Sequence, residues 1–404
     1  MDPLSREQAL ALDAADPLRG FRDRFVNNDA QRIYLDGNSL GRLPLATRDR
    51  LAALVAEWGE RLVSGWPEWI DAPARAGDLL AEHVLGARPG EVTVADSTTV
   101  NLFKLCSAVL DTHAGAIVTD RGNFPTDRYV LEGLAARHAR ELRLVETPAD
   151  AVAERGAALV LLSHVDYRTA ELADLAALTA ATDADVVWDL SHSAGAVPVD
   201  LRAAGVQLAV GCTYKYLNAG PGAPAFLYVA EERQAQLRSP IWGWFGQRDQ
   251  FAMERDYDPA DGIARFQAGT PPVLALAALE EGAKLTAEAG IGALRAKSVA
   301  MCDLIVALHD AWLAPLGFSL GSPRDAARRG SHVSLRHLEA WPINVALIER
   351  AGVVPDFRGP DWIRLGVAPL YTSHADVWDA LDRLRGLVER GEHHLVDAAP
   401  GRVT

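Results

Sequence analysis

The chain has few sulfur-containing residues and no cluster of them. Three cysteines and three methionines occur among 404 residues. Cys106, Cys212 and Cys302 lie far apart, fit no CxxC or Cys/His metal spacing, and leave one cysteine unpaired in any disulfide scheme. They are typical of the reduced thiols of an intracellular protein, and we expect no metal.

An excess of positive charge and a long apolar run are also missing. Lys and Arg number 40 against 54 Asp and Glu, for a formal net charge of −14, and the acidic residues are scattered along the chain. This balance argues against nucleic acid as a partner. No run approaches the length of a membrane span, and the N-terminus has no basic-then-apolar block of a signal peptide. We therefore expect a cytoplasmic protein with no membrane partner.

The sequence does contain a repeated alternation of short apolar runs and helical stretches. With 49% hydrophobic residues, the chain can bury a large core. The alternation predicts an α/β fold with a mostly parallel, doubly wound sheet. Crossover helices are predicted at residues 170–182 and 194–204. The predicted strands are residues 116–119, 142–145, 158–162, 186–188, 208–212 and 225–229.

The pattern changes at a Gly-Thr-Pro-Pro break, residues 269–272. A long helical stretch at residues 273–290 follows, and strand-like runs lie at residues 331–335 and 362–365. These features predict a smaller α+β C-terminal domain at residues 271–404 after a large domain at residues 70–270. Residues 1–69 form an N-terminal segment that we expect to pack on the small domain and to contribute to a substrate site.

Asp189 ends a buried hydrophobic strand, where open α/β sheets place their ligand sites. A buried carboxylate needs a compensating partner, and a protonated pyridine nitrogen is one candidate. A structural salt bridge or an N-cap of the next helix is the alternative.

Lys215 follows another apolar strand and precedes a Gly/Pro-rich turn, so it is predicted at the same edge of the sheet as Asp189. A lysine shielded from water there can form an imine with an aldehyde. A solvated turn lysine is the alternative, and only the combination with Asp189 favours chemistry.

Three further features are consistent with a bound phosphorylated cofactor or a carboxylate substrate, although each has an ordinary structural explanation. Thr98 and Thr99 open an apolar helix whose free N–H groups suit a phosphate, or they merely cap it. Phe124 could set its ring against a flat cofactor, or simply pack. Arg364 lies in a strand-like run, where it could bind a substrate carboxylate bidentately or face solvent on an edge strand.

With these residues in place, the sequence resembles the kynureninases, a family of pyridoxal-phosphate (PLP) enzymes with the aspartate-aminotransferase fold (fold type I). The resemblance covers nearly the whole chain. Its most specific segments are residues 34–41 (YLDGNSLG), 188–195 (WDLSHSAG) and 213–222 (TYKYLNAGPG), with further similarity at residues 163–169, 242–246, 265–272, 363–365 and 368–371.

The resemblance implies a role for each site residue. Lys215 attaches PLP covalently, Asp189 holds the ring nitrogen, and Tyr214 acts in catalysis beside them. The other expected cofactor contacts are Thr98, Thr99 and Tyr214 at the phosphate, Phe124 and His192 against the ring, Ser163 and Asp127 nearby, and Trp244 and Thr270 from the neighbouring subunit of a homodimer. Arg364, Asn38, Ser39 and Trp66 are expected to bind the substrate.

The implied activity is hydrolysis of L-kynurenine to anthranilate and L-alanine in tryptophan catabolism, with 3-hydroxykynurenine as a second substrate. Some members, notably animal ones, carry a His in the early substrate loop, where this chain reads residues 64–67 (SGWP), and an Asn in place of Thr270; both departures suit unhydroxylated kynurenine. A class V aminotransferase or cysteine desulfurase relative, or a non-catalytic binding protein with the PLP fold, remains an alternative.

Overall fold

The computed structural model describes residues 5–27, 29, 31–253 and 256–397; the terminal residues, where the sequence predicts loose tails, lie partly outside them. Its strands are β1 (Ile33–Tyr34), β2 (Val92–Ala95), β3 (Ala116–Asp120), β4 (Leu142–Val145), β5 (Ala157–Ser163), β6 (Asp185–Asp189), β7 (Leu208–Gly211), β8 (Ala225–Val229), β9 (Ser319–Leu320), β10 (His332–Arg336), β11 (Val353–Val354), β12 (Asp356–Arg358) and β13 (Trp362–Gly366). Its helices are α1 (Arg6–Ala15), α2 (Leu45–Arg61), α3 (Trp66–Trp69), α4 (Ala72–Leu80), α5 (Thr98–Thr112), α6 (Pro125–His138), α7 (Pro148–Ala153), α8 (Leu175–Ala180), α9 (Glu231–Gln234), α10 (Val273–Ala289), α11 (Ile291–Leu308), α12 (Ala340–Glu349) and α13 (His374–Glu389).

A seven-stranded sheet in the order β2-β8-β7-β6-β5-β3-β4 organises the larger part of the chain. Strands β3 to β7 run parallel to one another, whereas β8 is antiparallel to both β7 and β2. The inner strands are buried along almost their whole length because helices cover both faces, which is why they read as apolar runs in the sequence. The predicted mostly parallel α/β fold is confirmed.

The six predicted strands are confirmed within two residues, but the crossover helices are not. Residues 194–204 form turns rather than a helix. Gly195 there has φ +81°, and Pro198 interrupts the segment, so its alanine-rich composition is overridden. At residues 170–182 only α8 is helical, because Ala170 has φ +64° and Asp174 caps α8 by accepting from the Ala177 N–H.

The chain divides into two compact units that interleave along the sequence. The first comprises Met1–Leu45, Tyr167–Leu172 and Ala289–Thr404, and the second comprises Ala46–Asp166 and Ala173–Glu288. These boundaries lie at other residues than the expected 69/70 and 270/271, and the expected three-part division stays a prediction. The second unit contains the seven-stranded sheet.

The first unit is built on an antiparallel sheet in the order β12-β13-β10-β9 and on the parallel pair β1-β11. Strands β10 and β13 confirm the two strand predictions for this region, as α10 confirms the helix before it. Apolar side chains of α11, α12 and α13 bury the core against the sheet, among them Ile305, Leu347 and Leu384.

The N-terminal helix α1 is tied to α13 within this first unit. Arg6 forms an ion pair with Asp379, and Asp13 accepts from the backbone N–H groups of His374 and Ala375 at 2.7 and 2.9 Å. The carboxylate of Asp13 therefore satisfies free donors at the N-terminus of α13. No helix among the described residues is long and apolar enough to cross a membrane.

Candidate active site

The carboxyl ends of β5, β6 and β7 bring the predicted cofactor residues to one edge of the seven-stranded sheet. Ser163 is the last residue of β5, and it lies opposite Asp189, the last residue of β6. Lys215 follows β7 by four residues. Because parallel strands end at a common edge, the sequence places an acid, a hydroxyl and an amine where α/β sheets hold their ligands.

Asp189 shares this edge with a second buried carboxyl group, Asp127, from the first turn of α6. The two carboxyl groups are close enough for each to influence the pKa of the other. Burial and the neighbouring charge of Asp189 raise the pKa of Asp127 well above its usual range. Burial also raises the pKa of Asp189, although the Ser191 N–H donates to Asp189 Oδ1 at 2.8 Å and opposes the rise. The pair therefore binds protons more strongly than two exposed carboxyl groups would.

The amine of Lys215 lies within hydrogen-bond distance of the buried imidazole of His192. Lys215 Nζ is 2.9 Å from His192 Nε2 and 6.0 Å from the centroid of the Tyr214 ring. The charge of Lys215 acts on both Asp127 and Asp189. Amine, imidazole, phenol and carboxyl pair thus form one cluster in the second unit.

Backbone geometry after Lys215 fixes the turn that carries it. Asn218 has φ +55°, and the Thr213 hydroxyl donates to the Pro224 carbonyl oxygen at 2.7 Å. A Cβ added at Gly195 would lie 2.9 Å from a methyl carbon of Leu217, so the segment after β6 and the segment after β7 pack closely. Gly195 serves this close approach, whereas Gly220 and Gly222 have open space around an added Cβ but positive φ angles of +90° and +71°, which favour glycine.

Asn123 is a buried residue of the cluster that sequence reasoning missed. Its side-chain oxygen accepts from the Ser163 hydroxyl and from the Phe124 N–H, both at 2.7 Å. Its amide nitrogen donates to the Thr119 hydroxyl at 2.9 Å. Asn123 therefore positions Ser163 and Phe124, whose ring is 37% exposed. The signal for it is an Asn in the turn after a buried strand and just before a Pro-initiated helix.

Thr98 and Thr99 occupy the first turn of α5, and neither is its cap. Ser97 caps the helix by accepting from the Val100 N–H at 3.3 Å. Thr98 is half-buried and Thr99 is exposed, so their hydroxyls stand beside the free N–H groups of the helix start. This arrangement suits an anion such as a phosphate. Helix capping accounts for Ser97 but not for Thr98 and Thr99.

Trp244, Thr270 and Trp66 lie at partly open positions of the same unit. Trp244 belongs to the 3-10 helix Trp244–Gly246, is 39% exposed and contacts Phe251 edge-on with centroids 6.0 Å apart. Thr270 is exposed. Trp66 lines an apolar groove of about 430 Å³ together with Leu54, Trp58, Trp69 and residues 271–275.

Arg364, in the first unit, is buried on β13, an inner strand of its sheet. It is therefore not the surface arginine on an edge strand that the sequence left open. Its guanidinium pairs with the fully buried carboxylate of Asp356 and donates to the Tyr167 carbonyl at 2.5 Å and the Ser39 hydroxyl at 3.2 Å. Asp356 was not predicted; the Gly-Pro turn between β12 and β13, which places it opposite Arg364, is the signal that could have found it.

Asn38 lies fully buried next to Ser39 and over Gly366, the last residue of β13. A Cβ at Gly366 would stand 1.7 Å from Asn38 Oδ1. Neither polar atom of the Asn38 amide has a hydrogen-bond partner among the described residues. A buried amide without partners costs free energy unless a ligand satisfies it, which supports Asn38 as a binding residue.

Comparison with known proteins identifies the family. The kynureninase of Pseudomonas fluorescens is 44% identical over 402 residues, which cover 96% of this chain and 96% of that protein. The kynureninase of Burkholderia pseudomallei (strain K96243) is 43% identical over 401 residues, 95% of this chain and 96% of that protein. The chain belongs to the kynureninase family. A family model described as the kynureninase C-terminal domain also matches residues 294–384.

Solved structures of other enzymes share the fold of this kynureninase-family chain. The apo cysteine desulfurase of Thermococcus onnurineus NA1 has a TM-score of 0.76 at 18% identity, covering 89% of this chain and 95% of that chain. A variant of the enzyme C-DES with glycine linked covalently to its PLP cofactor has a TM-score of 0.76 at 21% identity, covering 88% and 97%. At these identities the likeness shows the fold alone.

The residues of this kynureninase-family site fit PLP. Asp127 Oδ2 is buried without a hydrogen-bond partner, and the pKa of the adjacent Asp189 is raised by burial, so a cationic ring nitrogen would supply what this carboxyl pair lacks. Lys215 offers the amine for an aldehyde, Phe124 a partly exposed ring, and the start of α5 an anion site.

Proposed function

We propose that this chain is a PLP-dependent kynureninase that hydrolyses L-kynurenine to anthranilate and L-alanine. The observation that carries the proposal is the Lys215 amine in contact with His192, next to the buried carboxyl group of Asp189, in a chain 43–44% identical to kynureninases. The net reaction adds water across one carbon–carbon bond. Hydroxide adds to the carbonyl carbon of the released anthranilate, and a proton adds to the carbon that becomes the alanine methyl group.

When bound, PLP withdraws electrons from the α-carbon of the amino acid. The residues of the chain would position the PLP ring and keep its nitrogen protonated, which strengthens the withdrawal of electrons. Asp189 would hold the protonated ring nitrogen, and Asp127, a buried carboxyl group with a raised pKa, would lie beside it. Phe124 and His192 would hold the ring with Ser163 nearby, while Thr98, Thr99 and Tyr214 would bind the phosphate.

Proton transfers fall to Lys215 and Tyr214. With PLP bound, Lys215 would be the base that removes the α-proton of the substrate. Burial raises the pKa of Tyr214, so its hydroxyl remains a proton donor at neutral pH and can donate to the ketone oxygen of the substrate.

Arg364, Asn38, Ser39 and Trp66 bind the substrate in this proposal. Arg364 keeps its guanidinium rigid through Asp356 and Tyr167, which suits it to a planar carboxylate. Trp66 offers an aromatic face in its groove. A preference for unhydroxylated kynurenine, a place in tryptophan catabolism and NAD biosynthesis, and a cytoplasmic location stay predictions.

We further propose a homodimer in which Trp244 and Thr270 reach the cofactor of the neighbouring subunit. Partly exposed aromatic side chains support an interface here: Trp242, Trp244 and Phe251 are 57%, 39% and 65% exposed. Large apolar side chains left open on one segment are typical of surfaces that another chain covers.

An absorbance spectrum followed by a turnover assay tests the proposed function. The purified protein should show a PLP band and release fluorescent anthranilate from L-kynurenine. Lys215→Ala should lose the covalent PLP band and at least ~10³-fold in turnover, whereas Lys284→Ala, at an exposed lysine paired with Glu281, should match the wild type. PLP without anthranilate release would contradict the proposal, as would full turnover by Lys215→Ala.

The desulfurase alternative has a separate observation against it. Cysteine desulfurases need a reactive cysteine in an accessible loop, whereas Cys106, Cys212 and Cys302 are all buried, and burial raises the pKa of each thiol. We expect no sulfur release from cysteine in the same preparation, measured as sulfide after reduction.

A further inference from the structure

A cluster of one glutamate and two histidines lies in the first unit, on residues that the proposed chemistry does not use. Glu339, His393 and His394 each offer one ligand atom, and these atoms lie within 4.8 Å of one another. We propose that they form a zinc site that fastens the 3-10 helix Glu392–Leu395 to the start of α12.

The distances within the cluster suit a metal ion better than hydrogen bonds. His393 Nε2 lies 3.4 Å from Glu339 Oε2, and His394 Nδ1 lies 3.4 Å from Glu339 Oε1. Both distances exceed the usual N–H···O range of about 2.7–3.2 Å. With Zn–N and Zn–O bonds of about 2.0–2.2 Å, the ligand atoms of a tetrahedral zinc site stand about 3.3–3.6 Å apart. The two distances end on different oxygens of Glu339, and one ligand atom from each of the three side chains lies within 4.8 Å of the others, which adjustment of the exposed side chains would bring to the spacing of a zinc site.

The glutamate is available for this role. Glu339 is the N-cap residue of α12, yet its side chain makes no capping hydrogen bond. The neighbouring carboxylate of Glu392 is instead bound to Arg390 at 2.6 Å and to Arg350 at 3.5 Å, so it is not a ligand.

The two histidines are held in a geometry that presents adjacent ring nitrogens to one point. Their ring centroids are 4.0 Å apart with an interplanar angle of 40°. The His393 side chain is buried at 4% exposure, whereas His394 and Glu339 are 59% and 45% exposed. A buried ligand fixes the site, and two exposed ligands leave an entry path and room for water as a fourth ligand.

His393 also sets the expected strength of binding. Its Nδ1 is buried without a hydrogen-bond partner among the described residues. Histidine ligands in tight sites usually donate the second ring N–H to an acceptor, which raises their basicity. We therefore expect micromolar rather than nanomolar affinity for Zn²⁺.

Sequence spacing does not reveal this site because Glu339 lies far along the chain from the His-His pair. The expectation of no metal rested on cysteine spacing, and the three ligands meet only when α12 packs beside the C-terminal 3-10 helix. The proposal is independent of PLP and of the kynureninase reaction, since no ligand belongs to the described active-site cluster.

Calorimetric titration with Zn²⁺ tests the site in the PLP-saturated enzyme, prepared without a histidine tag and freed of metal by a chelator that is then removed. We expect one Zn²⁺ per chain, and a Kd at least ~10-fold higher in His394→Ala and in Glu339→Gln. His394 is the main variant because it is exposed and its removal should not impair folding. His83→Ala, at an exposed histidine 3.9 Å from Glu82, is the matched control and should bind as the wild type does.

Thermal unfolding supplies the second readout. Because Zn²⁺ bound only to the folded chain stabilises it, Zn²⁺ at about ten times the wild-type Kd should raise the Tm of the wild type and of His83→Ala clearly more than that of His394→Ala. No binding by the wild type, or equal binding by His394→Ala, overturns the site. Binding that leaves Tm unchanged overturns the fastening role.

Discussion

The buried carboxyl groups of Asp127 and Asp189, at the edge of the large sheet, should make the free energy of unfolding depend on pH. Burial raises the folded-state pKa of Asp127 and Asp189, so both bind protons more strongly in the folded chain than in the unfolded one. Their contribution to stability is therefore full below the ordinary carboxyl pKa of about 4 and is lost as pH rises toward the raised values.

Asp127→Asn tests this dependence in the PLP-free protein. The amide keeps a hydrogen-bond donor toward Asp189 but cannot ionise, so the variant should lose less stability than the wild type between about pH 5 and about pH 8. The free energy of unfolding from urea titrations at several pH values measures it. Asp249→Asn, at an exposed aspartate, should follow the wild-type curve; an unchanged curve for Asp127→Asn would show that the pair is ionised in the folded chain.

His164 should make the free energy of unfolding depend on pH in the opposite direction. Burial lowers the pKa of this imidazole to about 3, and its ring packs edge-on against Trp188 with centroids 6.2 Å apart. A histidine with a lowered folded-state pKa stabilises the fold fully above its unfolded pKa, about 6.5, and this stability is lost as pH falls toward 3.

We therefore expect the wild type to lose about 1 kcal/mol more per pH unit below about pH 6 than His164→Gln, which cannot take up the proton. Denaturant unfolding of both proteins between about pH 7 and about pH 5 measures the difference. Parallel curves would mean that His164 is protonated in the folded state.

Among the elements, the buried strands were predictable and the turns between them were not. Strands such as β6 and β8 are covered on both faces, so their apolar runs mark them directly. The segment at 194–204 has a helical composition, but Gly195 and the packing of its turn against Leu217 decide its conformation. Strand β2 was missed because it is a four-residue edge strand joined antiparallel to a strand far along the chain.

The positions of Asp189 and Lys215 at the edge of the sheet could be predicted from the sequence, whereas the roles of the site residues stay predictions. Asp189 and Lys215 follow buried strands, so the rule that ligands bind at carboxyl ends locates them. Asn123 and Asp356 escaped notice because their partners are set by a turn and by hairpin register. The sequence predicts well which residues lie at the edge of the sheet. It predicts poorly which polar side chains contact one another there.

Contact between a helix and the sheet gives an element-level prediction. Gly77 in α4 faces β2 so closely that an added Cβ would lie 2.2 Å from the Val92 carbonyl oxygen. Gly77→Ala must therefore push α4 away from the sheet and should destabilise the protein by about 2–4 kcal/mol.

Gly133 in α6 provides the matched control because nothing lies within 4 Å of its added Cβ. Alanine there should stabilise the helix by about 0.5–1 kcal/mol. Denaturant unfolding of both variants measures the contrast. If Gly77→Ala were as stable as Gly133→Ala, α4 would not pack on β2 at this distance.

For the whole molecule, the fold does not determine the reaction. Enzymes at 18% and 21% identity share the fold with TM-scores of 0.76, although the names of these enzymes differ from that of the family to which the chain belongs. The choice of reaction therefore depends on the site and its loops rather than on the sheet. Assembly is part of that site if Trp244 and Thr270 act across a subunit boundary.

Mixing two impaired variants tests the shared site. A Lys215→Ala chain lacks the amine of its own cofactor, whereas a Trp244→Ala chain, in the proposed dimer, impairs only the cofactor of its neighbour. A hybrid dimer of the two contains one site with both defects and one intact site. Random pairing makes half of the dimers hybrid, so the mixture should recover about a quarter of wild-type turnover, far above either variant alone.

Co-expression with two different affinity tags would isolate the hybrid and raise that recovery to about a half. The pair Lys215→Ala with Asp189→Ala is the control, because both residues belong to the same chain's cluster and each hybrid site would carry one defect. Recovery in the first pair alone requires that a side chain cross the interface. Equal recovery in both pairs, or none in either, would contradict a role for Trp244 at the active site of the neighbouring subunit. The dimer would then have no demonstrated part in catalysis.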